Sequence, residues 1–288
     1  MVIRKVRRVK RPQCSQAPDL EELLALAKRV AAMASEIHLR RLGASHCVST
    51  KSSRSDVVTE VDREAERAIV TAILKARPRD GILAEEGSSR EGDSGIRWVV
   101  DPLDGSVNYL YGYPAFAVSI GVEIDERYRL GVVRDSFHGH VYAAIAGRKA
   151  TLNGKPLKVN PVSELPDALL ATGFSYDVRH RTHQARTLAG VLPRVRDIRR
   201  GGSAALDLCS IAAGRIDVYY EAGLKPWDVA AGGVIATAAG ARVIALSPPR
   251  GPKPLYVAAN PSLADKFLNL LCQSGAISPD TARTEPWG

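Results

Sequence analysis

The sequence has no long apolar segment and few cysteines, and both shortages narrow the class of protein. No run of eighteen apolar residues occurs in the 288-residue chain, so we expect no membrane-spanning helix. The amino-terminal residues lack the apolar stretch of a secretory signal. The four cysteines are far apart and form no Cys-x-x-Cys pair. This spacing argues against a zinc site or a disulfide framework and predicts a cytoplasmic protein.

Positive charge is in excess, and much of it lies at the amino terminus. The formal net charge is +9, and the first twelve residues contain Arg4, Lys5, Arg7, Arg8, Lys10 and Arg11. Such a segment can bind nucleic acid or an anionic surface, or it can be a solvated extension. We predict a basic, disordered tail over residues 1–17. Any nucleic-acid binding is expected through this tail alone.

Apolar periodicity and turn signals predict that strands dominate the first half and that helices and strands alternate in the second. Helical spacing and a capping Asp19 predict helices at 20–42 and 60–76. Strand-like runs follow at 81–84 and 97–100, and then, at hairpin spacing, at 116–124, 130–135 and 140–146. Later strands are predicted at 168–173, 216–221, 241–246 and 256–259, and later helices at 183–192, 203–213, 228–239 and 262–273. An antiparallel sheet followed by mixed elements indicates an α/β sandwich.

The most informative segment is 101–108, with the sequence Asp-Pro-Leu-Asp-Gly-Ser-Val-Asn. Pro102 and Gly105 predict a tight, exposed turn at the end of a strand. Asp101 and Asp104, three residues apart in this turn, can converge on one point. Oxygen ligands suit a hard cation such as Mg²⁺, and the Leu103 carbonyl lies between the two acids. Backbone N–H groups just after the turn would favour a phosphate.

Four further acidic residues, in three segments, accompany this turn. Glu85 and Glu86 follow a predicted strand, and Asp62 and Asp228 lie at the starts of predicted helices. Each has an ordinary structural interpretation, because Asp228 can cap its helix and the glutamates can be solvated. Their joint occurrence favours a shared metal site.

Together these segments resemble the inositol monophosphatase family, among the lithium-sensitive, metal-dependent phosphatases, in its bacterial form. The family pattern Asp-Pro-x-Asp-Gly-Thr-x-Asn is matched at 101–108, and Trp-Asp-x-Ala-Ala-Gly at 227–232. The glutamate pair and residues 51–62 also match, in family order, so the resemblance covers about residues 19–275. It implies a layered αβαβα sandwich with an antiparallel sheet first and a mixed sheet second. The catalytic domain would span 18–288, with subdomains of about 18–160 and 161–288.

The resemblance also implies roles for individual residues around two or three Mg²⁺ ions. The implied metal ligands are Glu85, Asp101, the Leu103 carbonyl, Asp104 and Asp228. The implied catalytic set is Asp62 and Ser106, which would orient the attacking water, with Glu85. The implied substrate contacts are the backbone of Gly105 and Ser106 for the phosphate, and Gly202, Ser203, Ala204, Glu221 and Asp228 for the hydroxyl groups. Lys51 is an implied charge partner near the metals.

The expected reaction is hydrolysis of myo-inositol monophosphate to myo-inositol and phosphate. Relatives act on fructose 1,6-bisphosphate, NADP(H), histidinol phosphate or 3′-phosphoadenosine 5′-phosphate, and these substrates stay open. Glu221, seven residues before Asp228, resembles the inositol-type pocket. The resemblance also implies a homodimer. An alternative from another class is an RNA or transcription-complex binding protein that uses the basic tail, because some bacterial family members bind such assemblies.

Overall fold

The computed structural model describes residues 18–44, 47–50, 57–247 and 254–287, with the backbone alone at 47–50, 57 and 58. The basic tail predicted at 1–17 and the predicted charge partner Lys51 lie outside these residues. The described part of the chain contains seven α-helices: α1 (Leu20–Arg41), α2 (Glu60–Ala76), α3 (Ser106–Leu110), α4 (Val178–Val191), α5 (Ala204–Ala212), α6 (Pro226–Ala238) and α7 (Pro261–Gln273).

The same described residues form sixteen β-strands, most of them short. They are β1 (Cys47–Thr50), β2 (Val57–Thr59), β3 (Gly81–Ala84), β4 (Ser89–Arg90), β5 (Ile96–Asp104), β6 (Ala117–Ile124), β7 (Arg127–Asp135), β8 (His140–Ile145), β9 (Thr151–Leu152), β10 (Lys155–Pro156), β11 (Leu169–Thr172), β12 (Asp197–Arg199), β13 (Val218–Ala222), β14 (Arg242–Ser247), β15 (Leu255–Ala259) and β16 (Ala282–Thr284). Two 3₁₀ helices lie at Leu165–Asp167 and Leu192–Arg194.

Side-chain caps explain where the first two helices begin. Asp19 accepts hydrogen bonds from the backbone of Glu21 and Glu22 at the start of α1. At the start of α2, Thr59 and Asp62 form a reciprocal capping box. Both helices begin at the predicted residue and end within one residue of the predicted end, because caps and apolar spacing are local signals.

The first sheet has eight strands in the order β10-β9-β8-β7-β6-β5-β3-β4. Its neighbours are antiparallel except β3 and β5, which run parallel. The sheet is therefore mixed, whereas the sequence predicted an antiparallel one. The difference arises at β4, a strand of two exposed residues that pairs with the outer side of β3. So short a strand leaves no periodic signal in the sequence.

The second sheet has six strands in the order β12-β11-β13-β15-β14-β16. β11 is parallel to both β12 and β13, and the remaining pairs are antiparallel. This mixed pairing agrees with the expectation for the second half of the chain.

Helices and sheets alternate in five layers. Helices α1 and α2 cover one face of the first sheet. Helices α5 and α6 fill the space between the two sheets, and α4 and α7 pack on the far face of the second sheet. This arrangement confirms the αβαβα sandwich. None of the helices in the described ranges is long and apolar enough to cross a membrane.

The carboxyl-terminal segment contacts both sheets. β16 pairs with β14 at the edge of the second sheet. Trp287, 2% exposed, stacks on Tyr128 of β7 with ring centroids 5.9 Å apart. The same indole meets Tyr256 of β15 edge-on at 6.1 Å. One side chain therefore touches a strand of each sheet.

Candidate active site

The acidic turn at 101–104 is buried, whereas the sequence predicted an exposed turn. Asp101 is 1% exposed and Leu103 is fully buried, because β5 lies inside the first sheet between β3 and β6. The pairing of β5 with β6 shifts register between Asp101 and Asp104, so one extra residue bulges here. Asp101 is fixed in this bulge because its Oδ1 accepts a hydrogen bond from the Leu103 amide at 3.1 Å.

Gly105 follows the turn at a position that excludes a side chain. Its φ is +92°, and a Cβ there would lie 2.8 Å from the carbonyl oxygen of Ala115. Helix α3 begins at the next residue. The glycine therefore brings Ser106 directly beside the acidic turn.

Ser106 connects two of the predicted motifs. Its hydroxyl donates to Asp62 Oδ1 at 2.7 Å, and its oxygen lies 3.0 Å from the Leu103 carbonyl oxygen. The other oxygen of Asp62 accepts the Thr59 amide at 2.8 Å. Burial raises the pKa of Asp62, and the hydrogen bonds from Thr59 and Ser106 oppose this. The two residues predicted to orient the attacking water are thus in direct contact.

Glu85 lies in the turn between β3 and β4, and hydrogen bonds to neighbouring segments fix the position of this turn. Its amide donates to the Val100 carbonyl at 3.1 Å, in the middle of β5 and one residue before Asp101. The carboxylate of Glu66 accepts the amides of Glu86 at 2.7 Å and Ser88 at 3.0 Å. Glu66, a buried residue of α2, therefore fastens the glutamate turn to α2. Sequence reasoning missed Glu66, because nothing local distinguishes it from other helix glutamates.

Asp104 joins the acidic turn to α5, one of the two helices between the sheets. Its Oδ2 accepts the Ser203 hydroxyl at 2.5 Å and the Ala205 amide at 2.8 Å, at the start of α5. Asn108 adds a second link, because its side-chain amide donates to the Gly201 carbonyl at 2.9 Å. The segment Gly202–Ala204, predicted to contact substrate, is thereby held next to the turn. Asn108 was part of the motif but had no predicted role.

Asp228 lies in the first turn of α6, although the sequence predicted that it could cap this helix. Lys225 occupies the cap position and Pro226 the first helical position. The Asp228 carboxylate accepts the Lys225 amide at 2.7 Å. Asp228 thus satisfies the amide of the cap residue from the third position of the helix. Proline fits at the first position because its missing N–H has no partner there anyway.

The acids from these segments act on one another electrostatically. Burial raises the pKa of Asp101 well above its usual value, and the charges of Glu85, Asp104 and Asp228 raise it further. Burial also raises the pKa of Asp228, followed by the charges of Glu85 and Asp104. The pKa of Asp104 rises to about 6, again mainly through burial. The charges of the predicted acidic ligands therefore act on one another across segments that are distant in sequence.

These acids influence one another, but their side chains do not converge on a common point. Across the described ranges, no three acidic, histidine or cysteine side chains are placed so that they could hold one ion together. Each aspartate instead keeps one oxygen on a backbone amide. The donor set fits a hard divalent cation, because it consists of oxygen atoms and the charges acting on Asp101 and Asp228 are negative.

Glu221 lies on β13, a strand of the second sheet. Tyr219 donates its hydroxyl to Glu221 Oε2 at 2.9 Å. Burial raises the pKa of Glu221 to about 7, and the hydrogen bond from Tyr219 and the charge of Arg200 oppose this. Asp207 of α5 also has a raised pKa, through burial and then the charge of Glu221. Arg200 and Asp207 were not predicted as parts of this region.

Comparisons with known proteins agree with these motifs. The profile described as the inositol monophosphatase family matches residues 19–276. A protein of Mycobacterium bovis named inositol-1-monophosphatase is 46% identical over 243 residues, which cover 81% of this chain and 83% of that protein. Nus factor SuhB of Vibrio cholerae is 43% identical over 197 residues, covering 68% and 74%. The crystal structure of extragenic suppressor protein suhB from Bartonella henselae superposes with a TM-score of 0.80 at 34% identity, covering 87% of this chain and 98% of that one.

Proposed function

The chain belongs to the inositol monophosphatase family of phosphatases, and we propose that it removes phosphate from a small polyol, with myo-inositol monophosphate as the first substrate to test. One observation carries the proposal. Glu85, the acidic turn and Asp228 come from distant parts of the chain, and the charges of Glu85 and Asp104 raise the pKa of both Asp101 and Asp228. Such a concentration of negative charge costs free energy unless a cation neutralises it.

The proposed ligands for two or three Mg²⁺ ions are Glu85, Asp101, the Leu103 carbonyl, Asp104 and Asp228. Bound there, Mg²⁺ would neutralise a dianionic phosphate monoester and lower the pKa of a bound water. Asp101 is the most deeply buried acid of this set. We therefore propose it as the ligand whose loss would weaken metal binding most.

The chain's own residues would orient the water and the ester. Asp62 holds the Ser106 hydroxyl, and we propose that this pair, with Glu85, orients the attacking water. The backbone amides of Gly105 and Ser106 are the proposed donors to the phosphate. Serine replaces the threonine of the family pattern here and keeps the hydroxyl that this role needs.

We propose that the substrate hydroxyl groups contact the part of the site formed by the start of α5, β13 and the first turn of α6. The proposed contacts there are the backbone of Gly202, Ser203 and Ala204 and the carboxylates of Glu221 and Asp228. Glu221 supports a polyol, because it is partly buried and can accept a hydrogen bond from a hydroxyl group. Fructose 1,6-bisphosphate, NADP(H), histidinol phosphate and 3′-phosphoadenosine 5′-phosphate are the competing substrates.

Phosphate release with and without Mg²⁺ tests the mechanism. Asp101→Asn keeps the size of the side chain and removes its charge, so we expect turnover to fall about 100-fold or more. Asp93→Asn is the matched control, because Asp93 is exposed and pairs with Arg79 at the surface. Equal turnover of Asp101→Asn and the wild type, or activity indifferent to Mg²⁺, would overturn the mechanism.

A substrate panel tests the polyol separately. We expect myo-inositol 1-phosphate to give the highest kcat/KM, and Glu221→Gln to lower that value more than it lowers hydrolysis of histidinol phosphate. If fructose 1,6-bisphosphate outpaces every inositol phosphate, the substrate proposal is wrong and the metal mechanism stands.

A second function is favoured by the relative named Nus factor SuhB and by the basic residues of the tail. We propose that the chain also binds RNA or a transcription complex through residues 1–17. Binding to single-stranded RNA should then weaken steeply as salt rises. Deleting residues 1–17 should abolish this binding and leave phosphatase turnover unchanged. RNA binding that survives the deletion would contradict a role for the tail.

We also propose that the protein is a cytoplasmic homodimer. Tyr111 is 82% exposed and Tyr113 is 54% exposed, on the segment that follows α3. Large exposed aromatic side chains often mark interfaces. Light scattering should give a dimer mass, and Tyr111→Ser together with Tyr113→Ser should shift it toward the monomer. An unchanged dimer mass would exclude this surface.

A further inference from the structure

Residues 282–287 form the β16 segment, which lies beyond residue 276, where the match to the family profile ends. The segment is nevertheless joined to the second sheet, because β16 pairs with β14 at its edge. Glu285 accepts a hydrogen bond from Arg242 of β14 at 3.0 Å. Trp287 follows, and its side chain is buried in the apolar cluster between the two sheets. The β16 segment therefore carries an aromatic side chain into the interior.

The indole of Trp287 lies directly against the backbone of α6. A Cβ added to Gly233 would have Nε1, Cε2 and Cδ1 of this indole as its three nearest atoms, at 2.2, 2.4 and 2.7 Å. A glycine is therefore needed here, because any side chain would occupy the space of the ring. Gly233 follows Asp228, a proposed metal ligand, on the same helix. The indole thus contacts the helix that carries this ligand.

Three neighbours hold α6 at consecutive positions. Strand β7 of the first sheet lies against Ala231, and a Cβ on Gly232 would lie 2.8 Å from the side chain of Leu208 on α5. Trp287 meets the next position, Gly233. Successive helix residues point about 100° apart, so these contacts lie on different sides of the helix. Trp287 therefore supports a side of α6 that neither the first sheet nor α5 supports.

The same indole contacts the neighbour of Glu221, a proposed substrate contact. Trp287 meets Tyr256 edge-on, with ring centroids 6.1 Å apart. Tyr256 lies directly opposite Glu221 in the antiparallel pairing of β15 with β13. Side chains of opposite residues in such a pair lie on the same face of the sheet. One ring therefore packs both on the helix of Asp228 and on the cross-strand partner of Glu221.

We propose that Trp287 is a positioning residue that keeps Asp228 and Glu221 in the arrangement needed for metal and substrate binding. Its link to catalysis rests on the proposed function. The indole acts by packing, because its Nε1 has no hydrogen-bond partner among the described residues. Without the ring, α6 loses its contact on one side, and its first turn can move away from the acidic turn. Tyr256 loses a neighbour at the same time.

Two substitutions test the contact from its two sides. Trp287→Ala removes the ring, and Gly233→Ala places a methyl group where the ring lies. Three quantities are measured on the full chain, below the melting temperature of every variant: hydrogen exchange over 226–233, Mg²⁺ binding by calorimetry, and kcat and KM for myo-inositol 1-phosphate. Each substitution should speed exchange, weaken Mg²⁺ binding about ten-fold and lower kcat/KM about ten- to 100-fold. Trp287→Phe keeps an aromatic ring and should recover most of each loss.

The double variant decides whether the contact itself is responsible. The three atoms nearest to the added methyl group belong to the indole, so Gly233→Ala meets no ring once Trp287 is replaced by alanine. The double variant should therefore bind Mg²⁺ no more weakly than Trp287→Ala alone. Losses that multiply in the double variant would overturn the proposal. If Trp287→Ala does not fold, Gly233→Ala is tested alone, and wild-type exchange and Mg²⁺ affinity in it would overturn the proposal.

Gly190→Ala is the matched control, because a Cβ on Gly190 of α4 would lie 2.9 Å from the hydroxyl oxygen of Ser274, on the far face of the second sheet. It should lower the melting temperature without changing exchange over 226–233 or Mg²⁺ binding. Wild-type exchange and Mg²⁺ affinity in Trp287→Ala would overturn the positioning role. Faster exchange in Trp287→Ala, combined with a wild type that releases no phosphate, would keep that role and defeat the proposed function.

Discussion

At the scale of the residue, Ser106 shows how one hydroxyl joins parts of the site that are distant in sequence. It donates to Asp62, 44 positions earlier, and lies beside the Leu103 carbonyl. The family resemblance implied that Asp62 and Ser106 act together on the attacking water, but not that they are hydrogen-bonded to each other. Neither Glu66 nor Asn108 could be assigned in this way. Their partners are backbone groups on other elements, and sequence gives no local sign of such contacts.

Ser106→Ala should lower kcat about ten- to 100-fold, because Asp62 loses a donor and the water loses a partner. Ser106→Thr restores the hydroxyl with a more restricted χ1, and its turnover should match or exceed that of the wild type. Kinetics with saturating Mg²⁺ would measure both variants. Equal turnover of Ser106→Ala and the wild type would remove Ser106 from the catalytic set.

At the scale of the element, α6 lies unusually close to the first sheet. A Cβ on Gly121 of β6 would lie 2.6 Å from Cβ of Ala230, and a Cβ on Gly131 of β7 would collide with the backbone of Ala231. Two strand glycines therefore set the distance between the sheet and the helix that carries Asp228. A side chain at either position must push α6, and Asp228 with it, away from the acidic turn.

Gly131→Ala should therefore lower both stability and activity, with a cost of about 1–3 kcal/mol in the free energy of unfolding. Gly43→Ala is a control for the general effect of adding a methyl group. Gly43 has a φ of +80° and open space around it, so strain alone should cost about 1 kcal/mol. Denaturant unfolding and kcat/KM, measured for both variants, test this prediction. Full activity in Gly131→Ala would show that α6 tolerates the shift.

Elements were predictable where their signals are local and strong. The Asp19 cap predicted the start of α1 and helical spacing that of α2, but α6 begins two residues before the predicted start, because Asp228 lies inside the helix and accepts the Lys225 amide from there. Helix α4 begins at Val178 rather than 183, since Asp177 caps it. Strands β12 and β16 were missed, as each has three mostly exposed residues. Strands this short form through pairing with their neighbours.

At the scale of the whole molecule, helices α5 and α6 lie between the two sheets and pack against both of them. Residues of α5 and α6 share one apolar cluster with strands of the first sheet and of the second. The site lies at the same junction, because Asp104 is bonded to the start of α5. The motifs predicted a shared site for acidic residues from several segments. They did not predict the burial of the acidic turn, because that burial follows from packing on both faces of β5.

A fragment of residues 18–160 should not fold on its own. It contains the first sheet but lacks α5 and α6, so one apolar face of that sheet would be exposed to water. Circular dichroism of the fragment should show no cooperative thermal transition, whereas the full chain should show one. A cooperative transition in the fragment would mean that the first sheet is an independent folding unit.

The position of Trp287 bears on how the protein should be handled. Its indole is wedged between Tyr128 and Tyr256, one residue before the last in the sequence. A truncation that removes Trp287 would take away this contact between the two sheets. Preparations of the protein should therefore keep residue 287.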